Sequence, residues 1–199
     1  MGSLMAGATV TNNQATLATS SQYVKLPGGL FGSYTAVSVE AWVTTEVNSD
    51  YAHIFQFGAL GNSNKNSIIV FSSSSNTFKL SWVDGAGSEL PFISAAPFNS
   101  QKNVHVVMTV STGDYARLYI HGVLKGTTPA VVNPIPPPNV FYISNAFDTS
   151  PGLKGSVNEF RIWGGTLSAT DIATRNSHGP GTAASNIVLS HVYLLLRRA

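Results

Sequence analysis

Leu153-Lys154-Gly155-Ser156-Val157-Asn158-Glu159-Phe160-Arg161-Ile162-Trp163, followed shortly by Leu167-Ser168-Ala169-Thr170-Asp171-Ile172-Ala173-Thr174-Arg175, is the stretch on which the fold turns. Its first part holds a strand-length run, 156–163, rich in β-branched and aromatic residues. Its second part opens on Ser168, a helix N-cap residue with an acidic residue three positions on, and runs towards the stop signal Gly179-Pro180. The pair predicts a strand and then one short helix, Leu167 to Asn176, that caps a surface.

Outward from this stretch, short runs of Val, Ile, Phe, Tyr and Thr recur between Gly, Asn, Ser or Pro clusters. They fall at 22–26, 36–45, 53–57, 67–71, 78–83, 104–110, 116–120 and 140–144. Strand-length runs at that spacing predict an all-β sandwich or barrel. Val37, Val39, Ala41 and Val43 share one face of their run, and Val104, Val106, Met108 and Val110 share one face of theirs. Asp84-Gly85, His121-Gly122 and Thr112-Gly113-Asp114 supply turn chemistry between runs. Five prolines between Pro129 and Asn139 exclude helix and central strand there, which leaves a long crossing loop. Gly58-Ala59-Leu60-Gly61-Asn62 lies between strands with no following helix and is read as a turn, not a phosphate loop.

Composition narrows the function classes. The 199 residues are 43% hydrophobic and only 10% charged, against about 25% charged in ordinary soluble domains. Disorder is excluded, and the length suits one compact domain. Eleven basic and nine acidic residues leave +2, too small a charge for a nucleic-acid partner. Without Cys there is no disulfide framework, thiolate zinc site or Cys nucleophile. No run is long enough for a membrane span; the most apolar, from Ile187 to Leu196, is broken by Ser190 and His191. No signal peptide is visible, and no Asn-x-Ser/Thr triplet occurs. The expected setting is extracellular, cell-surface or virion.

These elements, in this order, resemble the laminin-G-like, concanavalin A-like jelly-roll family. Tyr23-Val24-Lys25-Leu26-Pro27 with Val37-Ser38-Val39-Glu40-Ala41-Trp42-Val43 is similar to its opening strand pair. Asn103-Val104-His105-Val106-Val107-Met108 resembles its central strand, and Arg117-Leu118-Tyr119-Ile120-His121-Gly122 its Tyr-x-Asp-Gly hairpin. The closing stretch quoted above is similar to the family's strand-then-helix ending. The resemblance implies a two-sheet antiparallel jelly-roll sandwich over 15–180, flanked by an N-terminal extension, 1–14, and an apolar tail, 181–199. Two departures weaken an inherited calcium site: no Asp/Asn/Gly-rich loop precedes Ala15, and His121 stands at the hairpin Asp. No cofactor is therefore expected, and calcium has no support in the sequence. The tail either fills the place of a missing first strand or docks on a neighbouring chain.

Some family members are glycoside hydrolases, which need two carboxylates flanking one bond. The nine acids include no Glu-x-Asp-x-Glu strand motif, and Glu40 reads as part of the fold. The five His lack zinc-ligand spacing, and His105 reads as a structural histidine with a local hydrogen bond. No enzyme is expected. Sugar recognition uses aromatic platforms with polar groups beside them. Trp42 and Trp163 read as core residues; Trp82, beside the Asp84-Gly85 turn, is the aromatic expected to be partly exposed. Asp84, Asn145, Asp148 and the loop residues Asn62 and Asn64 are the accompanying candidates. The leading expectation is a non-catalytic module for a glycan or protein partner. The alternative is a structural or decoration subunit of a larger assembly, self-associating through the run from Ile187 to Leu196 or from Pro134 to Pro138.

Overall fold

The computed structural model describes residues 2–12, 14–31, 34–58, 67–83, 87–128, 140–181 and 191–194, with side chains in all of these except 90–95 and 191–194. The strands are β1 (Ser3–Met5), β2 (Thr9–Thr11), β3 (Gln14–Leu17), β4 (Tyr23–Leu26), β5 (Ala36–Thr45), β6 (His53–Gly58), β7 (Ser67–Ser72) and β8 (Thr77–Val83). After them come β9 (Glu89–Pro97), β10 (Val104–Ser111), β11 (Arg117–Ile120), β12 (Val123–Thr127), β13 (Val140–Ile143), β14 (Gly155–Gly164) and β15 (His191–Leu194), with one helix, α1 (Ala169–His178), between the last two.

Two antiparallel sheets stack into a sandwich. One runs β1-β4-β13-β6-β7-β8-β9; the other runs β12-β11-β10-β5-β14-β3-β2, with β15 also on β14. Alternation decides which side chains lie between them. On β5 the buried inner residues are Val37, Val39, Ala41 and Val43; on β10 they are Val104, Val106, Met108 and Val110. Phe55, Phe57, Phe141 and Phe160 complete the middle of the core in edge-to-face and stacked contacts, arrangements that add to plain area burial.

Two bulges interrupt the alternation. On β14 the register shifts between Val157 and Glu159, so Val157, Phe160 and Ile162 point inward while Glu159, Arg161 and Trp163 point out. On β6 the shift falls between His53 and Phe55: His53 pairs with Phe71 and Phe55 with Val70. The extra residue, Ile54, joins the core, and His53 is turned to the outer face. A bulge reverses the side-chain phase of everything before it.

The runs read from sequence at 36–45, 53–57, 67–71, 78–83, 104–110 and 156–163 all lie in strands. The helix keeps its expected N-cap, although its first residue is Ala169 and not Leu167. Ser168 is the N-cap, its hydroxyl accepts from the Asp171 amide at 3.1 Å, and Asp171 closes the capping box. Its end falls two residues later, at His178, before Gly179 with φ 73°. His121 and Gly122 both have positive φ, 51° and 76°, as a two-residue hairpin turn demands. The chain before Ala15 differs from the expected extension: β1 joins one sheet, and β2 joins the other beside β3. The sheet edge expected to lack a strand is occupied by β3, which pairs with Gly155–Val157 of β14. The tail's β15 pairs with Phe160–Trp163 of the same strand in the same chain. The proline-rich segment 129–139 lies outside the described residues.

Candidate functional site

The outer faces of the two sheets differ sharply. On the β5-β10-β14 face, Glu40, His105, Arg161 and Glu159 are buried under α1. Strand register makes them neighbours: Glu40 pairs with Arg161 and Val107, and Trp42 with His105 and Glu159. His105 Nε2 donates to Glu40 Oε1 at 3.0 Å, and Trp163 Nε1 donates to Glu40 Oε2 at 3.1 Å. Arg161 reaches Glu40 Oε2 at 3.5 Å and also pairs with Glu159, whose other oxygen accepts from the Gly181 amide. Arg175 of the helix lies 4.0 Å over the Trp163 ring and 3.8 Å from Glu40 Oε2. Burial by itself would raise the Glu40 carboxyl. The His105 hydrogen bond and the charges of Arg161, His105 and Arg175 outweigh it and leave Glu40 below its ordinary value. Ile172 and Leu167 pack on Val107, Tyr119 and Trp163 and close this face. Glu40 is 1% exposed and engaged at both oxygens, so it anchors the helix and offers nothing to a substrate.

The β6-β7-β8 face carries an open cleft of about 230 Å³, lined by Tyr51, His53, Phe71, Glu89, Asp148 and Ser150 among others. Each lining group has a local cause. His53 and Phe71 are cross-strand partners whose rings stack at 5.3 Å and 14°, and Tyr51 stacks on Phe71 at 6.1 Å. His53 Nδ1 donates to the Tyr51 carbonyl at 2.8 Å, which fixes the tautomer and leaves Nε2 as the acceptor of the neutral ring. Burial drives His53 below its ordinary value; the Tyr51 and Pro151 backbone and the negative charges of Asp148 and Glu89 oppose this only in part. On the same outer face, Lys79 Nζ lies 5.1 Å from the Phe71 centroid and 3.1 Å from Glu89 Oε1, which also accepts from the Ser81 hydroxyl at 2.8 Å.

The far wall is the segment between β13 and β14. Phe147 N donates to Gln56 Oε1 at 2.9 Å, and Ser150 N to Asp148 Oδ1 at 2.7 Å. At its base the Ser144 hydroxyl contacts the Gln22 and Leu153 carbonyls, both at 3.0 Å. Gly152 passes so close that a Cβ there would sit 2.1 Å from the Ser144 carbonyl oxygen.

Of the residues nominated from sequence, Asp148 lines this cleft. Asn145 is half-buried in the same segment and does not line it. Trp82 corrects the expectation of partial exposure. It shares the phase of Phe78 and Leu80, is 9% exposed and belongs to the core, while Lys79, Ser81 and Val83 face out. That alternation is legible in the strand's own sequence and was the signal for placing Trp82 inside. Asn62, Asn64 and Asp84 lie outside the described residues. Tyr51, His53, Phe71, Lys79 and Glu89 were missed; the β6 bulge hid His53, and 67–71 is apolar on both faces. Trp42 and Trp163 are buried, though on the helix-covered outer face. Among the described residues, no group of three or more His, Asp or Glu side chains is placed to hold a metal ion. No helix of the described residues is long and apolar enough to cross a membrane.

Two stacked jelly-roll sheets and a helix closing on the last long strand coincide with a match to the concanavalin A-like lectin/glucanases superfamily over residues 18–173. The chain belongs to the concanavalin A-like lectin/glucanases superfamily. No curated protein matches it. Within the solved concanavalin A-like neighbours, the ligand-binding domain of botulinum neurotoxin serotype D, solved with N-acetylneuraminic acid, is similar at TM-score 0.68 and 15% identity over 89% of this chain. This chain spans 46% of that one, less than half its length. Domain 4 of AbnA, an extracellular arabinanase from Geobacillus stearothermophilus solved with arabinotriose, is similar at 0.64 and 18%, covering 87% of this chain and 81% of that one. A pentraxin from Limulus polyphemus is similar at 0.58 and 17%, over 86% and 82% of the two chains. At such identities the likeness establishes the concanavalin A-like fold.

Proposed function

We propose that this chain is a non-catalytic glycan-binding module whose ligand sits in the cleft on the β6-β7-β8 face. The observation that carries the reading is the pairing, in one open cleft, of stacked rings with hydrogen-bonding groups. Tyr51, His53 and Phe71 stand beside the oxygens of Glu89, Asp148 and Ser150. A sugar presents an apolar C–H face and a rim of hydroxyls, and such a cleft matches both. Two of the similar structures hold saccharides, N-acetylneuraminic acid in one and arabinotriose in the other, which is consistent with this use of the fold.

A glycan array probed with the folded chain tests the reading. The expected result is retention on a defined set of glycans, weakened about five- to tenfold by Tyr51→Ala, the scale of one lost aromatic contact. Tyr51 is exposed, so the variant should fold normally. Silence across the array would overturn the proposal. Glu89 and Asp148 share the cleft, and the non-catalytic part of the reading has its own check. No new reducing ends should appear when a bound oligosaccharide is incubated with the protein. Hydrolysis abolished by Glu89→Gln would make the chain an enzyme.

A further inference from the structure

We infer that the cleft takes saccharides carrying no acidic group and turns acidic ones away; this deepens, and rests on, the glycan reading above. Charge in the cleft is one-sided. Two carboxylates, Glu89 and Asp148, line it, and no Lys or Arg is among its described lining residues. Lys79, which contacts two of the lining residues, is already engaged. Its ammonium contacts Glu89 Oε1 at 3.1 Å and lies over the Phe71 ring, with only 13% of its side chain exposed. His53, held neutral at pH 7 by burial, offers an acceptor nitrogen and no charge. The Tyr51 hydroxyl and the Ser150 side chain add only neutral groups.

An ionised sugar carboxylate entering this space would meet the charge of Asp148 and a Glu89 already paired with Lys79, with no guanidinium or ammonium among the described lining residues to replace its lost water. A neutral sugar has the opposite fit. Its hydroxyls are donors, and carboxylate oxygens, which only accept, are suited to receive them. The ligand named with the neurotoxin domain is an acidic sugar, so the shared fold does not transfer that specificity to this cleft.

The test is an array of matched pairs, each a neutral oligosaccharide beside its sialylated or uronic-acid counterpart, probed at 50 and 500 mM NaCl. Expected is a preference of about tenfold or more for the neutral member at low salt, narrowing at high salt as the charges are screened. The double variant Glu89→Gln/Asp148→Asn, at two well-exposed positions, should bring the acidic member up to within about twofold of the neutral one. Acidic members bound as well as or better than neutral ones by the unaltered protein would overturn the inference and leave the glycan reading standing. So would a preference that neither salt nor the double variant changes, because the exclusion would then be steric. No binding to either member would overturn the glycan reading itself, and the inference with it.

Discussion

Glu40 shows what one buried carboxylate does on this scaffold. It holds His105, Trp163, Arg161 and Arg175 together, from two strands, β10 and β14, and the helix. Replacing it by Gln leaves two nearly buried guanidinium groups without their shared anion, and breaking a buried pair from one side costs about 3–5 kcal/mol. Glu40→Gln is therefore expected to lower the unfolding free energy by that amount, read from urea curves at pH 7. The pH dependence has a definite sign. The Glu40 carboxyl lies below its unfolded value of 4.5 in the folded protein, so its contribution is full above that value and is lost as pH falls through the folded one. Glu40→Gln should accordingly flatten the loss of stability below pH 4.5. Glu40 and His105 were legible as structural because they stand on strands whose other face is plainly apolar. The residues of the cleft were not. His53 alternates in phase with Phe55 and Phe57 in the sequence, and only a bulge, which leaves no local signature there, turns it outward.

At the level of elements, the wall between β13 and β14 decides whether the cleft exists. Its base depends on Gly152, because any side chain would collide with the Ser144 backbone. Gly152→Ala must displace the segment that carries Asp148 and Ser150. Glycan binding is expected to fall more than tenfold, with a stability loss of about 1–3 kcal/mol, while the distant capping box of α1 persists in the helical circular dichroism. Strands with strict alternation were readable, β5 in its full extent and β10 to within one residue, as was the helix N-cap at Ser168. The short strands β1 and β2 escaped because each has only three residues, too few to show a period. β9 escaped because Pro91 and Pro97 interrupt a run that pairs at the edge of its sheet, where proline is tolerated.

Across the whole molecule, one outer face is sealed by α1 over an ionic cluster and the other stays open with its cleft. The same β14 that supports the sealed face lies in the middle of its sheet, between β5 on one side and β3 and β15 on the other. Its partners come from far along the chain; Ser38 of β5, for example, pairs with Trp163, and its hydroxyl donates to the Gly165 carbonyl just past the strand, 127 residues away. During synthesis the exposed edge of β5 must therefore wait, unpaired, until nearly the whole domain has been made. Loop closure over such spans is slow, and waiting strand edges invite association with other chains. Stopped-flow refolding is expected in the millisecond-to-second range, and chains halted before Gly155 should aggregate where the full chain does not. Microsecond refolding would mean that the sheet assembles without waiting for its central strand. For this fold, the last long strand to be made is the one that releases the earlier ones from risk.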